Sequence, residues 1–305
     1  MTAPPATAAR RLARAIEPIA GQAQFSPECH DNYARLGFGP SPGSIGSTAL
    51  PDRSAYFTAR GSVLGQVPGT VVAASFAVFN PAIVVPLVEE GWRLTDAASI
   101  WAAREAGAVA QLQRIIGPEP ADAGELADRL LAAAEPLPLS GRALFAGQLA
   151  LPIPDEPVAR LWRATDLLRE ARGDAHIIAW TSEGLSPIEV GLLGDLYWGL
   201  APRAHTGGRG WSEQQLSEAE ERLRSNGLLA GDVLTDDGFG LRERIEARTD
   251  DLMRPAIQQL GDELNRIADR LEPWSASIVA AGGYLSPAVR FTFGQSPASD
   301  QGTGA

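Results

Sequence analysis

Five ionisable residues occur within eight positions of a largely apolar stretch between Asp166 and Trp180. They are Arg169, Glu170, Arg172, Asp174 and His176. The apolar residues around them recur at helical spacing, so the stretch is expected to form a buried helix. A charge near a protein core must be paired or used, because burying it alone costs several kcal/mol. Either an internal network of ion pairs fixes this helix, or a small-molecule site is centred on His176.

His176 and Asp174 are the candidate catalytic residues. An imidazole titrates near neutral pH and can act as a general acid or base. The two residues are separated by one position, which places them on different faces of a regular helix. A direct pair therefore requires the helix to end locally at Gly173. A histidine whose hydrogen bonds are satisfied in the core explains His176 equally well.

Tyr56, Arg60, Arg172 and Trp180 are the candidate ligand-binding residues. A guanidinium binds a carboxylate or another anion through paired hydrogen bonds. The structural alternative is that the arginines pair with Glu170, with another acid or with helix C-termini. The ligand itself does not follow from these residue types.

The common cofactor and nucleophile motifs are absent from the sequence. It contains no Gly-x-Gly-x-x-Gly, His-Glu-x-x-His, Gly-x-Ser-x-Gly or Cys-x-x-Cys segment. All 26 basic residues are arginine, which excludes lysine Schiff bases, a pyridoxal phosphate anchor and a P-loop. The single cysteine, Cys29, excludes an internal disulfide. Its neighbour His30 suggests a metal site, but adjacent residues rarely share one ion, so we expect no metal. Any cofactor is unknown.

The segments that would position these residues carry mainly the sequence signals of helices. Ser26, Ser186 and Ser212 are good N-caps, and the first two precede a proline at the first helical position. Alternating strand patterns are lacking, so the sequence predicts a mainly α fold with β structure limited to a hairpin over residues 228–234. Residues 37–51 are rich in Gly, Pro and Ser, which predicts an irregular loop.

Two parts of the chain match each other at a nearly constant spacing. Phe79 corresponds to Trp198, and Gly91-Trp92 corresponds to Gly210-Trp211, both 119 residues apart. Residues 59–62 correspond to residues 171–174, 112 residues apart. The match predicts two pseudo-duplicated helical units, with Arg60 and Arg172 at equivalent positions near a common axis. Few identities support the match, and chance similarity is the alternative.

Three sequence segments in the C-terminal half resemble those of a known protein family. They are Arg222-Leu-Arg-Ser-Asn-Gly-Leu-Leu229, Leu234-Thr-Asp-Asp-Gly238 and the charged segment 242–252. Through them, residues 184–260 resemble the winged-helix MarR-type regulators. Through phrases such as Arg209-Gly-Trp-Ser212, most of the chain is similar to an actinobacterial group of helix-turn-helix proteins. The resemblance implies tandem, degenerate winged-helix-like units with a two-stranded wing and a long C-terminal helix.

Repeat and resemblance together predict the domain organisation. We expect an N-terminal helical unit over residues 1–120 and a second unit with winged-helix resemblance over residues 121–240. C-terminal helices over residues 241–285 and a disordered tail over residues 286–305 complete the chain. No segment is long and apolar enough to span a membrane, and a secretion signal is not recognisable, so a cytoplasmic monomer or homodimer is expected.

The charge distribution departs from that of a DNA-binding winged helix. The formal net charge is −11 and the isoelectric point is about 4.8, and DNA affinity comes mainly from cationic groups at phosphates. The expected wing, residues 229–233, is very short and contains an acid. The helix before it, residues 211–226, has four glutamates against two arginines. DNA binding is therefore possible but disfavoured.

Three functional hypotheses remain open. The first is a MarR-like helix-turn-helix scaffold that binds a small anionic or aromatic ligand between its halves, with DNA binding weak or lost. The second is an enzyme on the same scaffold that uses His176 and Asp174 for acid-base chemistry. The third is a structural protein whose long acidic helix mediates dimerisation.

Overall fold

The computed structural model of the protein describes residues 7–285, which form helices and two short ribbons. The helices are α1 (Ala8–Gly21), α2 (Pro27–Arg35), α3 (Arg53–Gly61), α4 (Gly69–Phe76), α5 (Pro81–Leu94), α6 (Ala97–Ile116), α7 (Ala123–Ala134), α8 (Ala143–Leu149), α9 (Pro157–Ser182), α10 (Pro187–Tyr197), α11 (Glu213–Ser225), α12 (Asp236–Leu252), α13 (Arg254–Leu260) and α14 (Leu264–Ala280). The strands are β1 (Ser44–Ile45), β2 (Thr48–Ala49), β3 (Leu229–Ala230) and β4 (Val233–Leu234). The predicted mainly α fold is confirmed. The tail predicted to be disordered, residues 286–305, lies outside the described residues.

The first ribbon corrects the prediction for residues 37–51. Strands β1 and β2 pair there in antiparallel fashion, with Ser44 opposite Ala49 and Ile45 opposite Thr48. Gly46 makes the turn between them at a φ of 58°, a conformation that favours glycine. β structure is therefore not limited to the hairpin near residue 230. Strands of two residues are too short to show the alternation by which a sequence reveals a strand.

Helix α9 lies at the centre of the fold. Glu156 caps its start by accepting from the backbone N–H groups of Val158 and Ala159, and a proline occupies the first position. Sixteen of its 26 residues are buried, and it packs against α1, α6, α7, α8 and α12. The helix runs through Gly173 without a break. Despite its length it is too polar to cross a bilayer, and no other helix between residues 7 and 285 meets that requirement.

Two hydrophobic clusters share this helix. The larger draws on α1 to α8, on the first two thirds of α9 and on α13 and α14. It includes residues on both sides of position 120, such as Leu112 and Leu126. The smaller contains the end of α9 with α10, α11, β3 and α12. Because α9 belongs to both clusters, it holds them in a fixed relation. The four-part domain division itself stays a prediction.

The smaller cluster has the element order of a winged helix. Ser186 and Ser212 each form a reciprocal capping box at the start of α10 and α11, as their positions before these helices indicate. Gly227 ends α11 with a φ of 71°. Strands β3 and β4 form a minimal wing, whose turn is Gly231-Asp232, and α12 follows. The hairpin predicted over residues 228–234 is present.

The two tryptophans of the proposed repeat occupy different positions. Trp92 lies in the last turn of α5, and its indole N–H donates to the carbonyl of Val67 at 2.7 Å. Trp211 precedes α11, and its indole N–H donates to the carbonyl of Val78 at 3.1 Å. This pair gives no support to the tandem duplication, which stays a prediction.

Candidate functional site

One side of α9 is open to solvent although the helix lies at the centre of the fold. Gly173, midway along it, is exposed, and a Cβ placed there would meet only Glu170 Oε2, at 3.8 Å. Three neighbours on the same side are partly exposed. Their side-chain exposures are 17 % for Arg169, 19 % for Arg172 and 26 % for His176. At 100° per residue these four positions share one side of the helix, and we call the space beside them the α9 cleft.

Helix α3 forms one edge of the α9 cleft. Arg60 binds Glu170 through two hydrogen bonds of 3.0 and 2.9 Å, and it donates to the Tyr56 hydroxyl at 3.3 Å. Arg169 donates to the same carboxylate at 2.8 Å. Burial alone would raise the pKa of Glu170, but the charges of Arg60 and Arg169 outweigh it and lower the pKa to about 2. Arg60 is therefore paired with Glu170, as expected if its role is a structural ion pair.

Helix α12 forms the opposite edge. Arg172 donates to Glu246 at 3.0 Å and to Asp250 at 3.4 Å. Arg242 also donates to Glu246, at 2.8 Å. Burial would raise the pKa of Glu246, and these arginines, together with His176, lower it to about 2. Arg60 and Arg172 therefore bind acids on different elements and do not converge on a common axis.

His176 is held by α12 as well. Its Nδ1 lies 3.0 Å from Thr249 Oγ1, and that hydroxyl donates to the carbonyl of Ile245 at 2.8 Å. The hydroxyl proton is used there, so Nδ1–H donates to Thr249 and Nε2 is left as an acceptor. Burial and then the charge of Arg242 lower the pKa of His176 to about 3, against the opposing effect of Glu246. The imidazole is neutral at physiological pH.

Asp174 faces away from the α9 cleft. Its Oδ2 accepts a hydrogen bond of 3.0 Å from the backbone N–H of Phe145 in α8. Burial raises the pKa of Asp174 to about 7. Because α9 is regular here, Asp174 and His176 lie on different faces and have different partners. The structure does not bring the two predicted catalytic residues together.

Hydrogen-bond donors without acceptors gather beside α10. Arg209 is partly exposed, and its guanidinium makes no hydrogen bond or ion pair among residues 7–285. Trp180 Nε1 is buried without an acceptor, as are Nε and Nη1 of Arg242 and Nε of Arg172. An unsatisfied buried donor costs about 1–3 kcal/mol, and more when it is charged. The region beside α10 therefore contains hydrogen-bond donors for which the described residues supply no acceptor.

Two glycines of α10 make room for these arginines. A Cβ at Gly191 would lie 3.2 Å from Arg209 Nη1, and one at Gly194 would lie 3.8 Å from Arg242 Nη2. The glycines are three residues apart and share one side of α10. The charges of both arginines lower the pKa of His176, so the donors lie beside the α9 cleft.

The position of Arg209 is fixed from the N-terminal part of the chain. Asn80 donates from its backbone N–H to the carbonyl of Arg209 at 3.0 Å, and from its side-chain amide to the carbonyl of Gly210 at 2.9 Å. Burial lowers the pKa of Arg209, and the charge of the nearby Asp195, and after it that of Tyr56, has the opposite effect. Arg209 is thus within electrostatic range of both Tyr56 and His176, which lie on two different elements of the cleft.

The α9 cleft accounts for most of the residues singled out from the sequence. Tyr56, Arg60, Arg172, His176 and Trp180 lie around it, and Asp174 does not. Sequence analysis missed Arg209 as a site residue. The signal was the segment Gly207-Gly-Arg-Gly210, in which a single charged side chain stands among glycines.

A family model described as a helix-turn-helix family matches residues 9–285, nearly the whole chain. The chain belongs to this helix-turn-helix family. The searches of curated proteins and of solved structures each gave no significant match. We call α10, α11, the wing and α12 (residues 183–250), which have the element order of a winged helix, the helix-turn-helix unit.

The surface of that helix-turn-helix unit is acidic. Residues 183–250 contain 13 acidic residues and seven arginines. Arg222 binds Glu189 at 3.1 Å, and Arg203 binds Glu213 and Glu220, both at 2.6 Å. Arginines committed to carboxylates in this way are not free to bind phosphates.

Proposed function

We propose that this helix-turn-helix protein binds a small anionic or aromatic ligand in the α9 cleft, and that its DNA binding is weak or lost. The unpaired guanidinium of Arg209 is the observation that carries the proposal. Arg209 is only partly exposed, and a guanidinium that loses part of its hydration is normally compensated by an acidic partner. A carboxylate or similar anion would supply the missing acceptors and bind Arg209 bidentately.

Other residues of the α9 cleft suit the same ligand. The neutral His176 offers Nε2 to a hydroxyl or amide donor, and Trp180 offers an indole N–H. Tyr56 lies on the α3 side, where its hydroxyl accepts a hydrogen bond from Arg60. The space beside Gly173 lets a ligand approach the backbone of α9 closely. The ligand would then touch both hydrophobic clusters, in keeping with a MarR-like scaffold whose two parts meet at the binding site.

Binding can be tested with pairs of small carboxylates and their neutral amides, beginning with benzoate and benzamide, while native mass spectrometry checks for a ligand retained on purification. We expect a carboxylate to raise the melting temperature of the wild type and its amide not to do so. The rise should be lost in Arg209→Gln and kept in Arg248→Gln. Arg248 is a matched control because it is exposed on α12. A response that survives in Arg209→Gln would contradict the proposal.

Filling the α9 cleft is an independent test. Gly173→Leu places a side chain in the open space, whereas Gly124→Leu adds the same side chain in α7, where a Cβ would meet only Pro157 at 3.9 Å. Both variants replace a helical glycine, which by itself favours the helix by up to about 1 kcal/mol. We expect both to fold and only Gly173→Leu to lose the response to the carboxylate. Equal responses would mean that the ligand binds elsewhere.

A further inference from the structure

The turn between α4 and α5 contains a residue with a strained backbone, Ala77. Its φ is 49° and its ψ is −49°. The left-handed region that is open to residues other than glycine has a ψ of about +30° to +60°, so Ala77 lies outside it. The backbone N–H of Val78 donates to the carbonyl of Phe76 across Ala77, which makes this the rare type of γ-turn with a positive φ. Such a conformation persists only where surrounding contacts hold it.

The contacts that hold this turn come from the helix-turn-helix unit. The indole N–H of Trp211 donates to the carbonyl of Val78 at 3.1 Å. Asn80 donates from its backbone N–H to the carbonyl of Arg209 at 3.0 Å and from its side chain to the next carbonyl at 2.9 Å. Ala77 and Val78 also pack against the smaller hydrophobic cluster. The strained turn is therefore the place where the N-terminal part of the chain docks on the loop before α11.

An unstrained alternative is available to the same residues. The N–H of Ala77 already donates to the carbonyl of Ala73 at 3.0 Å, which is the C-cap bond of α4. If Ala77 took helical φ and ψ values, α4 would continue, and the N–H of Val78 would donate to the carbonyl of Ala74. Alanine is the residue that most favours this helical form. A helix that included Val78 would turn its carbonyl along the helix axis and remove it from Trp211.

We propose that residues 77–80 are a two-state hinge that controls the position of Arg209. In the strained form, the hinge holds the loop before α11, and Arg209 lies beside the α9 cleft. In the helical form, the strain is relieved, and the three hydrogen bonds that Asn80 and Trp211 donate are given up. A ligand that binds Arg209 would favour the strained form and thereby fix the helix-turn-helix unit. The binding role of Arg209 rests on the proposed function, whereas the hinge does not.

Hydrogen exchange followed by NMR tests the hinge without a ligand. The backbone N–H of Asn80 and the indole N–H of Trp211 exchange with solvent when the hinge opens. Ala77→Gly removes the strain of the docked form and weakens the helical form. We therefore expect it to slow exchange at both groups about tenfold. Ala74→Gly makes the same change at an exposed position that is helical in both forms, and it should not slow the exchange.

Ala77→Val is the opposite change, because a β-branched side chain is more strained at a positive φ. It should speed exchange at Asn80 and Trp211 while buried amides of α9, such as that of Leu168, keep their wild-type rates. If Ala77→Gly left both rates unchanged, or slowed the exchange of Leu168 equally, the turn would not open as a hinge and the proposal would be overturned.

The link between the hinge and Arg209 is measured by adding benzoate to the wild type. Benzoate that binds Arg209 should slow exchange at Asn80 and Trp211, because only the docked form binds it. Binding that leaves these rates unchanged would overturn the control of Arg209 by the hinge. If no carboxylate binds, the proposed function fails, and the variants of Ala77 still decide whether the hinge exists.

Discussion

Neighbouring carboxylates of α9 show how environment decides the charge of a residue. Glu170 faces two guanidinium groups, and its pKa is lowered to about 2. Asp174, one turn further, has a backbone N–H as its hydrogen-bond partner, and burial raises its pKa to about 7. One carboxylate is therefore firmly ionised and the other is half protonated at neutral pH. Because Asp174 is so easily protonated, it should be visible in the dependence of stability on pH.

Replacing Asp174 with asparagine should stabilise the protein at alkaline pH. The raised pKa means that the folded state binds more protons than the unfolded state between pH 3.8 and about 7. The contribution of Asp174 to stability is therefore fully present below pH 3.8 and is lost as the pH rises through 7. Asparagine keeps an acceptor for Phe145 but carries no buried charge. We expect Asp174→Asn to exceed the wild type by about 1–3 kcal/mol at pH 8.

Urea unfolding at pH 8 and pH 4.5 measures this difference, which should shrink towards zero at the lower pH. Asp232→Asn is a suitable control, because Asp232 is exposed at the turn of the wing. It should leave the free energy of unfolding within about 0.5 kcal/mol of the wild type at both pH values. A wild type that gains stability relative to Asp174→Asn as the pH rises would show that the pKa is not raised.

Among the secondary-structure elements, helix α10 contains two glycines, Gly191 and Gly194, whose surroundings differ. A Cβ at Gly191 would come within 2.6 Å of Thr206 Oγ1, which is itself held by Asp195. We expect Gly191→Ala to destabilise the protein by about 1–3 kcal/mol and to displace Arg209. Gly194→Ala meets no atom closer than 3.8 Å and should stabilise the helix by up to about 1 kcal/mol.

Thermal unfolding together with the carboxylate response distinguishes the two glycine variants. Gly191→Ala should lower the melting temperature and weaken the response, and Gly194→Ala should do neither. If Gly191→Ala kept the full response, Arg209 would not need its present position for binding.

The helices were predictable because their signals are local. Caps such as Ser186 and Ser212 and the helical spacing within α9 depend on neighbouring residues, and the sequence predicts these elements correctly as helices.

The candidate site, in contrast, depends on contacts between residues that are far apart in the sequence. Arg209 is fixed by Asn80, which is 129 residues away in the sequence, and no local pattern records that bond. The solvent-exposed side of α9 could not be predicted from the sequence either. The helix is buried on most sides, so exposure at Gly173 leaves no amphipathic stripe.

At the scale of the whole molecule, the two hydrophobic clusters are joined by more than α9. Arg10 in α1 binds Glu243 at 2.8 Å and Asp250 at 2.9 Å, both in α12. Asn80 fixes the loop before α11 from the other side of the cleft. The helix-turn-helix unit is therefore held against the N-terminal helices at two places. A ligand between these places would add a third connection and further limit movement of the unit.

The last prediction concerns DNA, where the charge of the whole molecule and of the helix-turn-helix unit act together. A chain of net charge −11 is repelled by the phosphate backbone, and the unit that would enter the groove contains 13 acidic residues and seven arginines between residues 183 and 250. In an electrophoretic shift assay at physiological salt, we expect no retardation of a DNA fragment from the region upstream of the coding sequence at protein concentrations up to about 1 µM. Such an affinity would be weaker than that of typical specific DNA binding.

The cause can be tested by changing the charge on α11. Glu213 and Glu218 are exposed on this helix, so Glu213→Arg with Glu218→Arg should leave the fold intact. If acidity is what prevents binding, the double variant should bind DNA more tightly, with an affinity that falls as salt increases. The same two changes at Glu89 and Glu90, exposed on α5 away from the wing, should have a smaller effect although they alter net charge equally. Nanomolar, sequence-specific binding by the wild type would contradict the prediction and make the acidic helix part of a DNA-reading surface.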